Sequence, residues 1–245
     1  MKETIYTIPI NEIFEEECFC PFCSLEKRLD EEEVRYALGP AMMEPDYRAL
    51  TNEKGFCREH IIKLNALPKA LPLALVFQSG LTEMESLFSP PGKERKKLFS
   101  GGKQSAMDIF IENAEKKVEG CVICDRMKSN IDRYFDTFAD MLADSSEFFE
   151  KVESCGGFCM PHFVKALKHL NKMLGGKNLY ESVKMLCRTQ KKKYGKYRED
   201  INAFVDSFDY KNAGKPCPVP KDTVLKTGFF TNGEFEPPKK DLRDV

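Results

Sequence analysis

The feature that most constrains this sequence is a pattern of cysteine and histidine residues that occurs twice. Each copy has a Cys-x-x-Cys pair followed, after a gap, by Gly-Phe-Cys-x-x-His. The gap between the second and the third cysteine differs by only one residue between the two copies. Such close self-similarity across a long gap is hard to obtain by chance and indicates a repeat. In chain order, the eight residues are Cys20, Cys23, Cys57, His60, Cys121, Cys124, Cys159 and His162.

The residue types and their spacing are those of a tetrahedral zinc site. Two cysteines separated by two residues can direct both sulfurs at one ion from a tight turn. A Cys-x-x-His pair at the start of a helix supplies two more ligands, because residues three apart share a helix face. We therefore predict one Cys3His site within each copy of the pattern. The first set is Cys20, Cys23, Cys57 and His60, and the second set is Cys121, Cys124, Cys159 and His162.

The number of ligands and the nearby thiols bear on what these sites do. Four protein ligands leave no open coordination position, which favours a structural over a catalytic site. Cys18 and Cys155 lie close to the predicted ligands, and either could replace one of them. An additional thiolate would also convert a site towards the all-cysteine set of an iron–sulfur cluster. Because histidine is the fourth member of both sets, we expect two zinc ions per chain, with an iron–sulfur cluster as the alternative.

The charge and the N-terminal residues predict a cytoplasmic protein. The net charge is −1 over 245 residues, so no global field draws the chain to nucleic acid or to an anionic membrane. The first residues lack the apolar segment of a secretory signal, and no stretch approaches the roughly 18 apolar residues of a membrane span. In a reducing compartment, closely spaced cysteines serve metal binding or thiol chemistry more often than disulfides.

The hydrophobic periodicity predicts an all-α fold, a helical bundle built from two tandem metal-stapled repeats. The first repeat is expected over residues 1–88 and the second over residues 105–209. A segment rich in Pro, Gly and charged residues, 89–104, reads as the linker between them. Residues 210–245 lose the periodicity and are expected to form an irregular tail with a possible short helix from Asp222.

Two predicted helices are expected to be largely buried, and two helix starts are expected to be capped. The helix over 71–88 carries apolar residues on most of its faces, and a long helix over 178–208 carries an apolar stripe. Ser105-x-x-Asp108 and Asp144-x-x-Glu147 are typical of N-terminal caps. The sequence also allows short strands near 4–8 and 227–230. The stripe consists of Tyr180, Val183, Leu186, Cys187, Tyr194, Tyr197, Ile201, Phe204, Val205 and Phe208.

The order of these motifs resembles a family of uncharacterised bacterial proteins, mainly from Firmicutes, that share a domain of unknown function. The resemblance covers about Ile8 to Phe229 and rests on both Cys/His patterns, on Gln78 in a Leu-rich helix, and on the closing Phe208-Asp-Tyr-Lys-Asn212. It implies the two-repeat architecture and no particular activity. Some members carry an automatic label as ABC-transporter substrate-binding proteins. The helical pattern does not support that label, because such proteins are α/β folds that close around a ligand.

Three functions from different classes are compatible with these features. The first is an intracellular metal-binding scaffold or binding module with an unidentified protein partner and an unknown oligomeric state. The second is a redox or metal-responsive regulator, in which spare thiols at Cys18 and Cys155 exchange with oxidants and metal is released. The third is nucleic-acid binding through basic clusters at 93–97 and 188–198, which the near-neutral charge disfavours. Catalysis is not expected, because His169 is the one histidine outside the motifs and no nucleophile elbow or phosphate loop is present.

Overall fold

The structure is a computed structural model that describes residues 5–92 and 105–234. These residues form eleven α-helices and three short 3-10 helices, with no β-strand among them, so the all-α prediction is confirmed for this part of the chain. None of these helices combines the length and the apolar composition needed to cross a bilayer. The α-helices are α1 Thr7–Glu15, α2 Pro21–Ala37, α3 Pro45–Lys54, α4 Arg58–Ala66, α5 Ala70–Met84, α6 Ala106–Glu119, α7 Val122–Asp144, α8 Ser146–Ser154, α9 Met160–Met173, α10 Gly176–Asp206 and α11 Thr223–Asn232.

The chain divides into two compact units. The discontinuous unit comprises Met1–Lys27 and Ile131–Val245, and the continuous unit comprises Arg28–Asn130. Both boundaries fall inside helices, so α2 and α7 each contribute residues to both units. These units do not coincide with the predicted ranges 1–88 and 105–209. As units of sequence repetition, the two ranges stay a prediction.

The core of the discontinuous unit is a cluster of phenylalanine rings. Phe22, which lies between the two cysteines of the first pair, stacks on Phe135 with the ring centroids 3.8 Å apart. Phe138 stacks on Phe14 at 5.6 Å, and Phe158 lies 5.7 Å from Phe22. Phe158 directly precedes the cysteine of a Cys-x-x-His pair. Residues inside and beside the motifs are therefore anchored in the core.

The core of the continuous unit includes the start of α7. A carboxylate, Glu33, is buried beside it and accepts hydrogen bonds from Arg126 Nε at 2.6 Å and Asn130 Nδ2 at 3.1 Å. A buried charge is tolerated when it is paired and hydrogen-bonded in this way. The core cluster consists of Val34, Ala37, Leu38, Ala41, Tyr47, Leu64, Leu73, Cys121, Val122 and Ile123. Here too, the residues between two motif cysteines are core residues.

The long helix α10 buries a different face from the predicted stripe. The face contains Leu186 of that stripe, together with several polar residues whose side chains are hydrogen-bonded. The prediction failed because periodicity counts apolar residues and does not detect polar side chains with buried partners. The stripe residues that are exposed are Tyr180, Cys187, Tyr194, Val205 and Phe208. The buried residues are Ser182, Met185, Leu186, Thr189, Gln190 and Lys193.

The prediction of a largely buried helix over 71–88 was also wrong. In α5 only Leu73 and Val76 are buried, whereas Leu71 and Leu81 are exposed. An apolar composition on most faces predicts burial only when enough partners surround the helix.

One prediction about a helix start, by contrast, is confirmed. Ser105 Oγ accepts from the backbone N–H of Asp108 at 3.0 Å, and the Asp108 carboxylate accepts from the Ser105 N–H at 3.1 Å. A capping box depends on residues three apart, which is why it was predictable. The second predicted cap, Asp144, was wrong by one residue: α8 is capped by Ser145, whose Oγ accepts from the Phe148 N–H at 3.2 Å.

The tail is ordered around the short helix that the sequence allowed from Asp222. It contains α11 and a short 3-10 helix at Tyr210–Asn212, because the apolar residues after Thr223 form a helix with Phe230 buried. The described residues near the two suggested strands belong to α1 and α11 rather than to strands. Residues 93–104 of the predicted linker and 235–245 of the predicted tail lie outside the described residues.

Phe138 is buried and Phe208 is exposed, so their replacement by alanine should have different effects on the free energy of unfolding. Phe138→Ala removes a fully buried ring and should lower the free energy of unfolding by about 3–5 kcal/mol. Phe208→Ala is the matched control, because the Phe208 side chain is 76% exposed, and its effect should stay within about 0.5 kcal/mol. Urea denaturation followed by circular dichroism measures both. Equal losses would contradict the burial of Phe138 and the exposure of Phe208.

Candidate metal centres

The structure brings the eight motif residues together as two groups of four. Site 1 consists of Cys20, Cys23, Cys159 and His162, and site 2 consists of Cys57, His60, Cys121 and Cys124. Within each group, the four donor atoms all lie within 4.8 Å of one another. Site 1 belongs entirely to the discontinuous unit and site 2 entirely to the continuous unit.

Each site combines the Cys-x-x-Cys pair of one copy with the Cys-x-x-His pair of the other, so the predicted pairing within each copy was wrong. The physical reason is that each Cys-x-x-Cys pair lies at the start of a long helix. Helix α2 has 17 residues and α7 has 23, which corresponds to about 25 Å and about 35 Å of rigid rod. The chain leaves each pair along such a rod, and a distant segment completes the site. The spacing of the motifs along the sequence does not show in which direction each helix leaves its Cys-x-x-Cys pair.

In site 1, the imidazole of His162 faces all three sulfurs with its Nδ1 atom. That nitrogen lies 3.6 Å from Sγ of Cys20 and 3.4 Å from Sγ of Cys23. The third sulfur, of Cys159, is 3.2 Å from the same nitrogen and 3.7 Å from the Cys23 sulfur. All four residues are buried. The backbone N–H of Glu234, just after α11, donates to Cys23 Sγ at 3.4 Å.

Site 2 has the same donors and a more open setting. His60 Nδ1 lies 3.1 Å from Sγ of Cys57 and 3.3 Å from the sulfurs of both Cys121 and Cys124. The sulfurs of Cys57 and Cys124 are 3.7 Å apart. His60 and Cys121 are buried, but Cys57 is partly exposed and Cys124 is exposed. One edge of site 2 is therefore in contact with solvent.

The spacing of the donors fits a single tetrahedral ion of the size of zinc. Zn–S bonds of about 2.3 Å and Zn–N bonds of about 2.0–2.1 Å imply S···S edges of about 3.8 Å and S···N edges of about 3.6 Å. The S···S distance between Cys23 and Cys159 at site 1 and that between Cys57 and Cys124 at site 2 are both 3.7 Å. The S···N distances run from 3.1 to 3.6 Å. The residues of both sites fit the ion in number, type and spacing.

Carboxylates on α2 orient both imidazoles. Nε2 of His162 lies 3.0 Å from Glu26 Oε1, and Nε2 of His60 lies 2.9 Å from Asp30 Oδ1. Asp30 is also paired with Lys63 at 2.6 Å. When Nε2–H donates a hydrogen bond to a carboxylate, Nδ1 is unprotonated and can bind a metal. This is the usual arrangement of a metal-binding histidine. The sequence signal for these two residues was weak, since they differ from other acidic residues of α2 only in their positions after the first cysteine pair.

Hydrogen bonding inside each group separates the pKa values of its thiols. Burial by itself would raise the pKa of Cys20 and Cys121, but hydrogen bonds from the neighbouring thiols and the histidine outweigh it. The pKa of Cys20 is lowered well below its usual value, and that of Cys121 is lowered to about 6. Hydrogen bonds to Cys159 and Cys20 raise the pKa of Cys23. Burial and a hydrogen bond to Cys121 raise the pKa of Cys124. A bound cation would stabilise all three thiols of a site in the thiolate form that metal ligation needs.

Neither Cys18 nor Cys155 belongs to either group of four. Burial raises the pKa of the Cys18 thiol, and it raises that of Cys155 to about 11. Both thiols are therefore protonated near neutral pH, and a protonated thiol is a poor ligand and a poor nucleophile.

Two polar side chains of α10 hold the loops that carry site 1 ligands. Gln190 Oε1 accepts from the backbone N–H of Phe158 at 3.1 Å, and Gln190 Nε2 donates to the Phe158 carbonyl at 2.9 Å. Lys193 Nζ donates to the carbonyl of Gly157 at 3.0 Å and to that of Phe19. Lys193 lies in one of the two basic clusters considered for nucleic acid, where the sequence pattern did not indicate a buried residue.

One family model matches residues 1–238, and its description is a family of unknown function, DUF6062. The chain belongs to this family, which confirms the resemblance to an uncharacterised family. A search of the curated proteins and a search of the solved structures each give no match.

The loop before Cys159 provides a matched pair of glycine substitutions. Gly157 has a φ of +79°, and a Cβ there would meet Lys193 Cδ at 3.2 Å. Gly157→Ala should therefore lower the free energy of unfolding by roughly 1–3 kcal/mol. A Cβ at Gly156 would meet nothing within 4 Å, so Gly156→Ala should change stability little. Urea denaturation at equal metal content compares the two variants, and equal effects would contradict the described loop geometry.

Proposed function

Because membership of this family assigns no activity, we propose a function from the two sites alone: the protein is a helical scaffold that holds two structural zinc ions. The observation that carries the proposal is the match between the donor spacing and the edges of a zinc tetrahedron at both sites. When bound, zinc supplies a cross-link between segments. Four protein ligands leave no open position for a substrate. The ligands are Cys20, Cys23, Cys159 and His162 at site 1, and Cys57, His60, Cys121 and Cys124 at site 2.

The compactness of each group favours a single ion over an iron–sulfur cluster. All donor atoms of a site lie within 4.8 Å of one another. A cluster of several irons and sulfides occupies the space between its ligands and holds them further apart than one ion does. The imidazole nitrogen in each donor set also suits zinc better than a cluster bound through cysteine alone.

A structural role follows from which segments the ions would join. Cys23 and Cys159 of site 1 are 136 positions apart, and Cys57 and Cys124 of site 2 are 67 positions apart. Metal binding contributes about 10–16 kcal/mol to the folding of small zinc peptides. That is comparable with the whole stability of a domain, about 5–15 kcal/mol. A protein partner and a cytoplasmic location stay predictions from the sequence.

Metal analysis of double variants tests both zinc binding and the crossed pairing. The purified chain should contain two zinc ions and show no visible absorption from an iron–sulfur cluster. Cys20→Ser combined with Cys159→Ser should remove one zinc, because both residues belong to site 1. Cys20→Ser combined with Cys57→Ser should remove both, because each damages a different site. Native mass spectrometry gives the stoichiometries.

Pairing within each copy would reverse the outcome of these two double variants. A folded, metal-free chain after purification without chelators would rule out the structural zinc proposal altogether.

The exposure of site 2 favours a second function, a thiol-based regulator that releases its zinc on oxidation. Cys124 is exposed and Cys57 is partly exposed, and their sulfurs are 3.7 Å apart. A peroxide would take two electrons from this thiolate pair, forming one disulfide while the peroxide is reduced to water. A pair joined by a disulfide no longer provides two thiolate ligands, so the zinc would leave. The regulatory thiols would then be Cys57 and Cys124 rather than Cys18 and Cys155.

Peroxide treatment should therefore release the two zinc ions at different rates. We expect one zinc per chain to appear quickly in a colorimetric zinc assay, with a Cys57–Cys124 disulfide in the mass spectrum, while site 1 keeps its ion. Cys187→Ser is the control, because Cys187 is exposed but belongs to neither site, and it should leave the fast phase unchanged. Release of both ions at one rate, or of neither, would contradict the regulatory role.

A further inference from the structure

Lys193 is a lysine that the structure buries. Its residue surface is 8% exposed, whereas the neighbouring Lys191, Lys192 and Lys196 on α10 are exposed. Lysine is among the residue types that are least often buried without a partner. A buried ammonium group needs hydrogen-bond acceptors and a compensating negative charge. The surroundings of Lys193 must supply both.

The acceptors are two backbone carbonyls, those of Phe19 and Gly157. Phe19 directly precedes Cys20, and Gly157 lies two residues before Cys159. The ammonium group also lies over the Phe19 ring, 4.3 Å from its centroid, where a cation is attracted to the π face. A single side chain therefore connects the two loops that carry ligands of site 1.

Neutral carbonyls do not supply the negative charge, but the cysteines around the ammonium group can. Burial lowers the pKa of Lys193, and the charges that act against this effect come from Cys20, Cys155, Cys159 and Cys23. Three of these four residues are site 1 ligands. A zinc ion bound to three thiolates and one neutral imidazole carries a single net negative charge. One ammonium group balances it.

Site 2 has the same four types of ligand atom, but there solvent can compensate the negative charge of a bound zinc complex. Cys124 is exposed and Cys57 is partly exposed, so solvent screens the charge of a bound complex. The lysine at the end of α3, Lys54, is directed to Asp125, with Nζ and the carboxylate oxygen 2.7 Å apart. The lysines near site 2, Lys54 and Lys63, are each paired with a carboxylate, whereas Lys193 at site 1 donates to two neutral carbonyls.

We propose that Lys193 is the counter-charge of site 1, where its buried ammonium group neutralises the zinc–thiolate complex and fixes the backbone of both ligand loops. This inference rests on the proposed binding of zinc at site 1. Lys193 is a positioning residue in this role, because its hydrogen bonds go to the backbone of Phe19 and Gly157. It strengthens zinc binding at site 1 and has no effect on site 2.

Three variants separate charge from backbone anchoring. Lys193→Met removes the charge and both hydrogen bonds, and Lys193→Gln removes the charge but keeps an amide donor. Gln190→Met is the matched control, because Gln190 lies one turn away, is equally buried and anchors Phe158 in the same loop without a charge. Each is made in the full chain and in a full chain with Cys57→Ser and Cys124→Ser, in which only site 1 has a complete ligand set.

Competition with a chromophoric chelator measures the zinc affinity of site 1. We expect both Lys193 variants to bind zinc about 10–100-fold more weakly, the usual effect of removing a residue that supports metal ligands. Gln190→Met should weaken zinc binding less than either Lys193 variant, because it removes one anchor of the Cys159 loop but no charge. In cobalt-loaded protein, the sulfur-to-metal charge-transfer band should move to longer wavelength only in the Lys193 variants. Loss of a nearby positive charge raises the energy of the thiolate electrons, and backbone anchoring does not.

Unchanged affinity and an unmoved cobalt band in both Lys193 variants would overturn the counter-charge role and leave the zinc proposal intact. An equal loss in Gln190→Met would also overturn it, because anchoring of the loop would then explain the effect. A starting chain without zinc would refute the proposed function itself. The zinc content of that chain is measured before any variant is made, so the two failures are distinguishable. Where the chain with site 1 alone does not fold, the full chain gives the same comparison, and site 2 serves as the internal reference.

Discussion

The structure depends on how its Cys-x-x-Cys and Cys-x-x-His pairs are combined. Each Cys-x-x-Cys pair begins a long helix, α2 or α7, and the Cys-x-x-His pair that completes the site comes from the other copy. Joining Cys23 to Cys159, 136 positions away, lengthens the closed loop about fourfold over pairing within one copy, which costs only about 1 kcal/mol in chain entropy. Loop entropy is therefore too weak to decide the pairing. The course of the rigid helices decides it.

Apolar residues inside the motifs pack in the two cores and so fix the positions of the neighbouring cysteine and histidine side chains. In the discontinuous unit, Phe22 lies between two ligand cysteines and Phe158 beside a third, and both rings are fully buried. In the continuous unit, Val122 and Ile123 occupy the same place between two cysteines. Donor loops that the core already holds in position lose little conformational freedom when an ion binds. The two residues between the cysteines of each Cys-x-x-Cys pair thus help to hold the metal-binding sulfurs in position.

The sequence was sufficient to identify the eight residues that the structure groups, because their types and short spacings are local. It could not show the pairing, since two equivalent cysteine pairs and two equivalent Cys-x-x-His pairs satisfy the same chemistry in either combination, as with disulfide connectivity. Periodicity placed α10 correctly but not its buried face, because Gln190 and Lys193 are buried through hydrogen bonds. The sequence did not indicate Glu26 and Asp30 either, since solvated helix faces carry many such carboxylates.

The two sites share one donor set and differ in what surrounds it. If both hold zinc as proposed, site 1 combines buried ligands with the nearby Lys193 ammonium group and with the Glu234 N–H, which donates to Cys23 Sγ. Site 2 leaves Cys124 to water. A reagent reacts only with a thiolate that it can reach, so exposure rather than ligand type determines which ion exchanges. Identical motifs can therefore hold one unit firmly and leave the other open to exchange, because the difference lies in residues outside the motifs.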